Sequence, residues 1–273
     1  MQKEQTCPDI TQSTPRPEFL EVTETSGQPV TQEQFERHCN RYYWAGDYCA
    51  GKDVLEVACG SAAGIGYLQS IGARVIGGDI SEAVLAGPRQ YYKDRVQLQV
   101  MDAQKLPLGD NSVDVVIIFE ALYYLAKPEK FVAECARVLR PGGNVLVCNA
   151  NKDLYDFNPS PYSHEYHGVV ELRELFGNFG FATRFWGGSR LAATSLRQKL
   201  LRPVKALAAK SGLIPKTMAG KKLLKRIVFG QMKSMPPEIR PNEVRRESFD
   251  ELDAQVPATA HKVIYCVATL NET

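Results

Sequence analysis

An open, doubly wound α/β fold around a mostly parallel sheet is what this sequence predicts, and two observations predict it. Apolar runs of strand length alternate with helix-like segments between residue 31 and about residue 186, and small or acidic residues cluster directly after each run. Strands that are continuously apolar are buried on both faces, and strands separated by helices run parallel. In such sheets ligands sit beyond the carboxyl ends of the strands, where strand order reverses, so the second observation marks a binding edge.

Residues 1–30, rich in Thr, Gln, Glu, Pro and Ser, read as a flexible leader. TQEQFERHCNRYYWAGDYC then sets Thr31 three residues before Gln34, a capping-box spacing, at the head of a helix with aromatics on one side. Strands are expected at DVLEVA (53–58), ARVIGGD (73–79), VQLQVMD (96–102), VDVVIIFE (113–120) and NVLVCNA (144–150). Helices fall between them at SEAVLAGPRQYY, behind a Ser81 cap, and at PEKFVAECARVL, which ends at the ArgProGlyGly of 140–143. A helix at VVELRELFGNFG, a strand at FATRFW and a last strand at HKVIYCVATL complete the core, assigned to 31–187 and 259–273. The intervening 188–258 is too long for an ordinary connection and carries helical patterns, so it reads as a structured, basic helical insert.

The chain has 273 residues, 44% hydrophobic and 23% charged, enough for one large core. No stretch approaches the roughly 20 apolar residues of a membrane span, and MQKEQTCPDITQSTPRPE lacks a basic patch followed by an apolar run, so a cytoplasmic location is expected. The seven cysteines form no CxxC pair, and several lie in apolar runs. They read as reduced, buried thiols rather than metal ligands. Charge is segregated: residues 184–246 hold 16 Lys or Arg against two acids, a net +14, leaving −12 on the rest of a chain whose formal charge is +2.

LEVACGSAAGIG, following the first strand, has the outline of a nucleotide loop but not the chemistry of a phosphate one. It has no Lys before Ser or Thr, alanines stand at 58, 62 and 63, and Glu56 at the entrance repels a phosphate. Asp79, closing the second strand, is placed for two ribose hydroxyls, and Asp102, closing the third, for an exocyclic amine such as that of adenine. Either aspartate alone also reads as a turn or cap residue. Together, on successive strand ends, they suit a nucleoside with a cationic, phosphate-free tail, and S-adenosylmethionine is such a molecule.

At this point the sequence resembles the class I S-adenosylmethionine-dependent methyltransferases, of the type 11 kind. VLEVACGSAAGIG, GGDIS, MDAQKLPLGDNSVDVVIIFEALYYL and ARVLRPGG carry the likeness, which runs from about Arg41 to Trp186 and resumes at the last strand. The resemblance implies a Rossmann-like sheet with an antiparallel last strand and S-adenosylmethionine as cofactor. It implies further that Glu56, Ala58, Gly60 and Gly64 shape the methionine end, that Asp79 holds the ribose and that Ile80 packs on adenine. Asp102 and Ala103 would border the adenine, Phe119 and Glu120 would close the site, and Arg41 and Tyr42 would reach the methionine carboxylate. Ala58 and Ala62 replace the glycines commonest there, and alanines are expected only where φ is negative and no ligand atom needs the space. RYYWAGDYCAGKDVLEVACG, FEALYYL and NANKDLYDFNPSPYSHEYH look like a narrower branch that modifies sugars and bacterial surface polysaccharides.

Methyl transfer is an in-line displacement that depends on alignment, and a hydroxyl acceptor gains from a general base. His164 is the first candidate and His167 the second, both in the loop after the fifth strand; either alternatively caps or packs. Tyr123 and Tyr124 read as acceptor-pocket residues, His164 lining the pocket with them, or as core aromatics. The acceptor expected is a sugar or glycan hydroxyl, the alternatives being O- or N-transfer to a secondary metabolite or a catalytically inert nucleoside-binding regulator.

AGKKLLKRIVFGQM, from Ala219, places Leu223, Leu224, Ile227 and Val228 on one side of a helix and Lys221, Lys222, Lys225 and Arg226 largely on the other. SLRQKLLRPVKALAAKSG repeats the character around Pro203. The insert thus reads as an acceptor cap whose basic face is solvated, meets an anionic substrate such as a nucleotide-linked sugar, or docks peripherally on an anionic membrane. No nucleic-acid module accompanies the charge.

Overall fold

In the computed structural model, which describes residues 25–191 and 232–272, the capping box at Thr31 is formed. The Thr31 hydroxyl accepts from the Gln34 amide at 3.1 Å, and the Gln34 side-chain oxygen accepts from the Thr31 amide at 2.9 Å. The box ends β1 (Pro29–Thr31) and starts α1 (Gln32–Cys49). There follow β2 (Asp53–Val57), α2 (Ile65–Ser70), β3 (Arg74–Asp79), α3 (Glu82–Tyr92), β4 (Gln97–Val100) and β5 (Val113–Phe119). The Ser81 hydroxyl caps α3 by accepting from the Val84 amide. The second half comprises α4 (Pro128–Val138), β6 (Leu139–Ala150), α5 (Val169–Gly177), β7 (Phe181–Arg190), β8 (Met232–Ser234), β9 (Asp250–Leu252) and β10 (His261–Leu270).

Eight strands form one sheet in the order β4-β3-β2-β5-β6-β10-β7-β9, the first five parallel. β10 is antiparallel to both its neighbours, β6 and β7. The expected doubly wound sheet with an antiparallel last strand is thus present, and its order reverses between β2 and β5. Alternation divides the strand residues between two cores. Val54, Val115, Ile117, Leu146, Cys148 and Tyr265 face α1, α2 and α3, while Leu55, Val57, Val116, Ile118, Val147 and Ile264 face α4 and α5. Each fully buried side chain of this size contributes roughly 1.5–3 kcal/mol.

Two departures from the sequence reading have local causes. β6 starts at Leu139, not 144: Leu139 pairs with Val113, and Gly142 at φ 72° and Gly143, whose Cβ would lie 3.0 Å from the Asp114 carbonyl, let Arg-Pro-Gly-Gly continue along β5 through a register shift. Within the stretch read as a helical insert, 188–190 continue β7, and residues 232–252 hold no helix but two short strands joined by turns and bends. Met232–Ser234 pairs with β1, and the following chain straps the outer side of the first core, burying Met235 and Ile239. The basic helices read between 195 and 231 lie outside the described residues, as do residues 1–24. Among the described residues no helix is long and apolar enough to cross a membrane, no His, Cys, Asp or Glu group is placed to hold a metal, and six cysteines are free and buried.

Candidate functional site

The switch between β2 and β5 brings the predicted residues to one edge. Glu56, one residue before the end of β2, is buried on the α1 side, and the Tyr42 hydroxyl of α1 donates to its Oε1 at 2.6 Å. Its Oε2 is buried with no hydrogen-bond partner. Native interiors rarely leave a carboxyl oxygen in that condition, so it marks a place for a donor from a ligand. Burial pushes the Glu56 carboxyl up to about 7, against the opposing pull of the Tyr42 hydrogen bond and the Arg41 charge.

The loop after β2 turns its amides onto β3. Cys59 N–H donates to the Gly78 carbonyl at 2.9 Å and Gly60 N–H to Asp79 Oδ2 at 3.0 Å. Aiming the backbone in this way puts Ala58 at φ 50°, Gly60 at φ 55° and Ala62 at φ 53°. The expectation of negative φ at the two alanines is therefore corrected: both occupy the left-handed region, where an L side chain costs about 1–2 kcal/mol. Gly64 is needed for a different reason, since a Cβ there would lie 2.0 Å from the Tyr42 ring.

Asp79 Oδ1 accepts from the Ser81 amide at 2.9 Å, so each of its oxygens takes one backbone donor. A carboxylate offers about four lone-pair sites, which leaves capacity for two vicinal hydroxyls. Burial raises the Asp79 carboxyl above its ordinary range, partly offset by those backbone bonds. Beside it Ile80 is 51% exposed, an apolar surface at the edge of the site suited to a flat base. Asp102 Oδ1 takes the backbone and side-chain N–H groups of Gln104, at 2.8 and 3.3 Å, so it performs the turn role as well as standing at the edge, and Ala103 next to it is buried.

Phe119 ends β5 with its ring edge-on to Tyr42, centroids 5.5 Å apart. Glu120 follows at φ 51°, fixed by its own N–H to the Cys148 carbonyl at 2.7 Å and by Oε2, which accepts from Ala150 N–H and the Tyr123 hydroxyl, each at 3.0 Å. Both central strands thus leave the sheet through a left-handed residue, a conformation that persists only where neighbours enforce it.

The acceptor-side residues gather around the turn Leu122–Tyr124. Tyr123 is buried and stacks on Tyr166 at 4.1 Å and 19°, Phe157 meets Tyr166 edge-on, and the Tyr124 hydroxyl donates to Ser160 Oγ at 3.3 Å. His164 N–H donates to the Tyr123 carbonyl at 2.8 Å, so the loop 160–166 lies over this turn with the His164 side chain exposed. His167 is buried, its Nδ1 without a partner. Tyr42 departs from expectation, its hydroxyl being engaged with Glu56. Sequence reading passed over Tyr166 and Phe157, whose only signal is aromatic content in the loop. It also passed over Asn149, an amide at the end of an apolar run that is fully buried with neither side-chain polar atom bonded.

Residues 55–147 match the family described as "methyltransferase domain". A probable S-adenosylmethionine-dependent methyltransferase of Mycolicibacterium smegmatis is 39% identical over 151 residues, covering 54% of this chain and 58% of that protein. A demethylmenaquinone methyltransferase of Clavibacter sepedonicus is 37% identical over 101 residues, 36% of this chain and 41% of that one. The chain thus spans little more than half the length of the first relative. Among solved structures, an S-adenosylmethionine-dependent methyltransferase of Archaeoglobus fulgidus superimposes with a TM-score of 0.55 at 15% identity, covering 87% of this chain and 97% of that one, a likeness of fold alone. Over residues 55–147 the chain is thus similar to methyltransferase domains, and the relatives named above that match this stretch are methyltransferases by name.

Proposed function

We propose that this chain transfers the methyl group of S-adenosylmethionine to a hydroxyl of a small molecule, with a sugar or glycan as the acceptor. The observation that carries the reading is the half-satisfied, buried Glu56 next to Asp79 on adjoining strand ends, in a loop with no phosphate-binding group. Glu56 suits the ammonium of the amino-acid tail, Asp79 the ribose hydroxyls and Ile80 with Ala103 the base, while Arg41 is close enough to act on Glu56 and suits the tail carboxylate. When bound, the cofactor supplies the electrophilic methyl; the chain aligns the acceptor and takes its proton.

The part-exposed rings of Tyr124, Phe157 and Tyr166 around the buried Tyr123 support a ring-shaped acceptor, since aromatic faces hold the apolar side of a pyranose while Ser160 and loop polar groups meet its hydroxyls. The same faces suit a planar ring, which keeps O- or N-methylation of a secondary metabolite as the second reading. His164 is the proposed base, exposed where its backbone is tied to Tyr123, with His167 as its rival. Of the stretch 188–258, the part outside the sheet and strap, residues 192–231, is proposed as a cap over the acceptor, its basic residues meeting an anionic acceptor, either free as a nucleotide-linked sugar or lipid-linked at a membrane surface.

Calorimetric titration with S-adenosylmethionine and S-adenosylhomocysteine tests the cofactor. Binding by the parent and a loss of at least tenfold in Asp79→Ala are expected; undiminished binding in that variant overturns the assignment. Turnover of labelled cofactor against a panel of nucleotide sugars, glycans and phenols separates an enzyme from an inert nucleoside-binding regulator and ranks the acceptor classes. With an acceptor in hand, single-turnover rates that His164→Ala and His167→Ala both leave unchanged remove the loop as the source of a base.

A further inference from the structure

We propose that cofactor binding expels a proton from Glu56, so that the Tyr42–Glu56 pair admits the ligand's ammonium group in exchange for that proton. This rests on the cofactor reading above and adds to it a charge-selecting role for the pair.

The geometry favours the exchange. Glu56 is 2% exposed, one of its oxygens meets the Tyr42 hydroxyl at 2.6 Å, and the other has no partner. A bare carboxylate oxygen out of water is costly, and a protonated carboxyl in the same place costs much less. Tyr42 cannot turn to relieve it. Its ring fills the space over Gly64, lies edge-on to Phe119 and meets the His38 ring at 5.5 Å.

Nor can the phenol supply the charge balance, because burial and the neighbouring Glu56 both hold Tyr42 in its neutral form. The other titratable groups facing the pair act weakly or in the opposite sense. On α1, Arg41 favours the carboxylate and the Cys49 thiol is kept neutral by burial. From the loop, burial likewise keeps Cys59 neutral, and Asp79 on β3 acts on that thiol from the far side. Burial therefore dominates, and Glu56 titrates at about 7 in the unliganded protein.

An incoming ammonium reverses the balance, giving the carboxylate the donor and the opposite charge that its Oε2 lacks. The proton leaves to solvent, no covalent bond changes, and net charge in the pocket is conserved. A ligand whose tail nitrogen is uncharged gains nothing from the exchange, which is how the pair selects charge. Affinity should rise about tenfold per pH unit below 7 and level off above it, before a free α-amino group begins to lose its own proton near 8.

S-adenosylhomocysteine is the probe, since it keeps the ammonium and lacks the sulfonium. Titrated calorimetrically at pH 6.5 in buffers of different ionisation enthalpy, the parent should release most of one proton, and its Kd should fall five- to tenfold between pH 6 and pH 7. Glu56→Gln should bind more weakly with no buffer dependence, and Tyr42→Phe should still release a proton. Infrared difference spectra of the parent provide a readout that needs no variant: the carbonyl band of a buried protonated carboxyl should disappear on binding. Binding with a buffer-independent enthalpy, proton release that survives Glu56→Gln, or an unchanged carbonyl band overturns the proposal and leaves the cofactor reading intact. No binding at any pH overturns both.

Discussion

Ala58 and Ala62 show how residue-scale cost is distributed in this site. Both hold left-handed backbone, but Ala58 is partly exposed, whereas the Ala62 side chain is fully buried. Replacing Ala58 by Gly removes about 1 kcal/mol of strain and should raise the thermal midpoint by a few degrees. At Ala62 the same relief is offset by loss of a buried methyl worth about 0.8 kcal/mol, so Ala62→Gly should melt close to the parent. Glu56 yields a prediction with a definite sign. Its folded-state carboxyl titrates above its ordinary range, at about 7, so the stability its proton provides is complete below about 4.5 and is lost as pH rises from there through 7. Glu56→Gln keeps the Tyr42 hydrogen bond without that loss, and the unliganded variant should melt above the parent at pH 8, by up to about 3 kcal/mol, with the gap closing toward pH 4.5. Thermal melts across pH check both points. Glu56, Asp79 and Glu120 were legible because each acid interrupts or ends an apolar run. The backbone signs of Ala58 and Ala62 were not, because they follow from hydrogen bonds to β3 that no local pattern encodes.

At the scale of elements, the strap after the insert deserves comparison with the helices it crosses. Ile239 N–H donates to the Ala63 carbonyl at 2.7 Å, Glu238 forms a two-pronged pair with Arg95 at 2.6 and 2.9 Å, and the Tyr43 hydroxyl donates to the Arg240 carbonyl at 2.7 Å. The strap therefore presses on the N-terminal turn of α2, where a Cβ on Gly66 would lie 1.8 Å from Glu238. Gly66→Ala should displace the Glu238 clasp, and Met235→Ala, which empties a fully buried position, should cost about 2–4 kcal/mol of unfolding free energy in denaturant titration. Gly64→Ala acts through the other side of the loop: it dislodges the Tyr42 ring and should weaken S-adenosylhomocysteine binding more than it weakens the fold. The long elements were legible from periodicity and caps, as Thr31, Ser81 and Pro128 show. The three-residue strands β1, β8 and β9 were not. Pairs such as Val30 with Lys233 arise only when segments about 200 residues apart meet.

For the whole molecule, the order in which strands join decides where chemistry is possible. The chain winds outward through β3 and β4, crosses back to β5 and continues outward on the other side, so β2 and β5 end side by side with nothing between them. Alternating apolar runs foretold that arrangement; the stack of Tyr123 on Tyr166 was not legible, because it joins residues of two loops that meet only in three dimensions. The segregation of +14 in 184–246 from −12 elsewhere belongs to this scale too. If the basic stretch meets lipid-linked acceptors, the protein should pellet with anionic vesicles and be released by salt, and neutralising Lys221, Lys222, Lys225 and Arg226 should leave it in the supernatant; equal pelleting removes that helix as an anchor. The ends of the insert are each fastened to the core, Leu191 by its N–H to the Ala260 carbonyl at 2.8 Å and Met232 by pairing with Thr31. Everything between those two fastenings is, for the folded core, a closed loop, and each doubling of a loop's length costs only about 0.6 kcal/mol. Recombination can therefore exchange residues 192–231 for a segment of another length and chemistry while the two fastenings, and the sheet they belong to, keep their geometry.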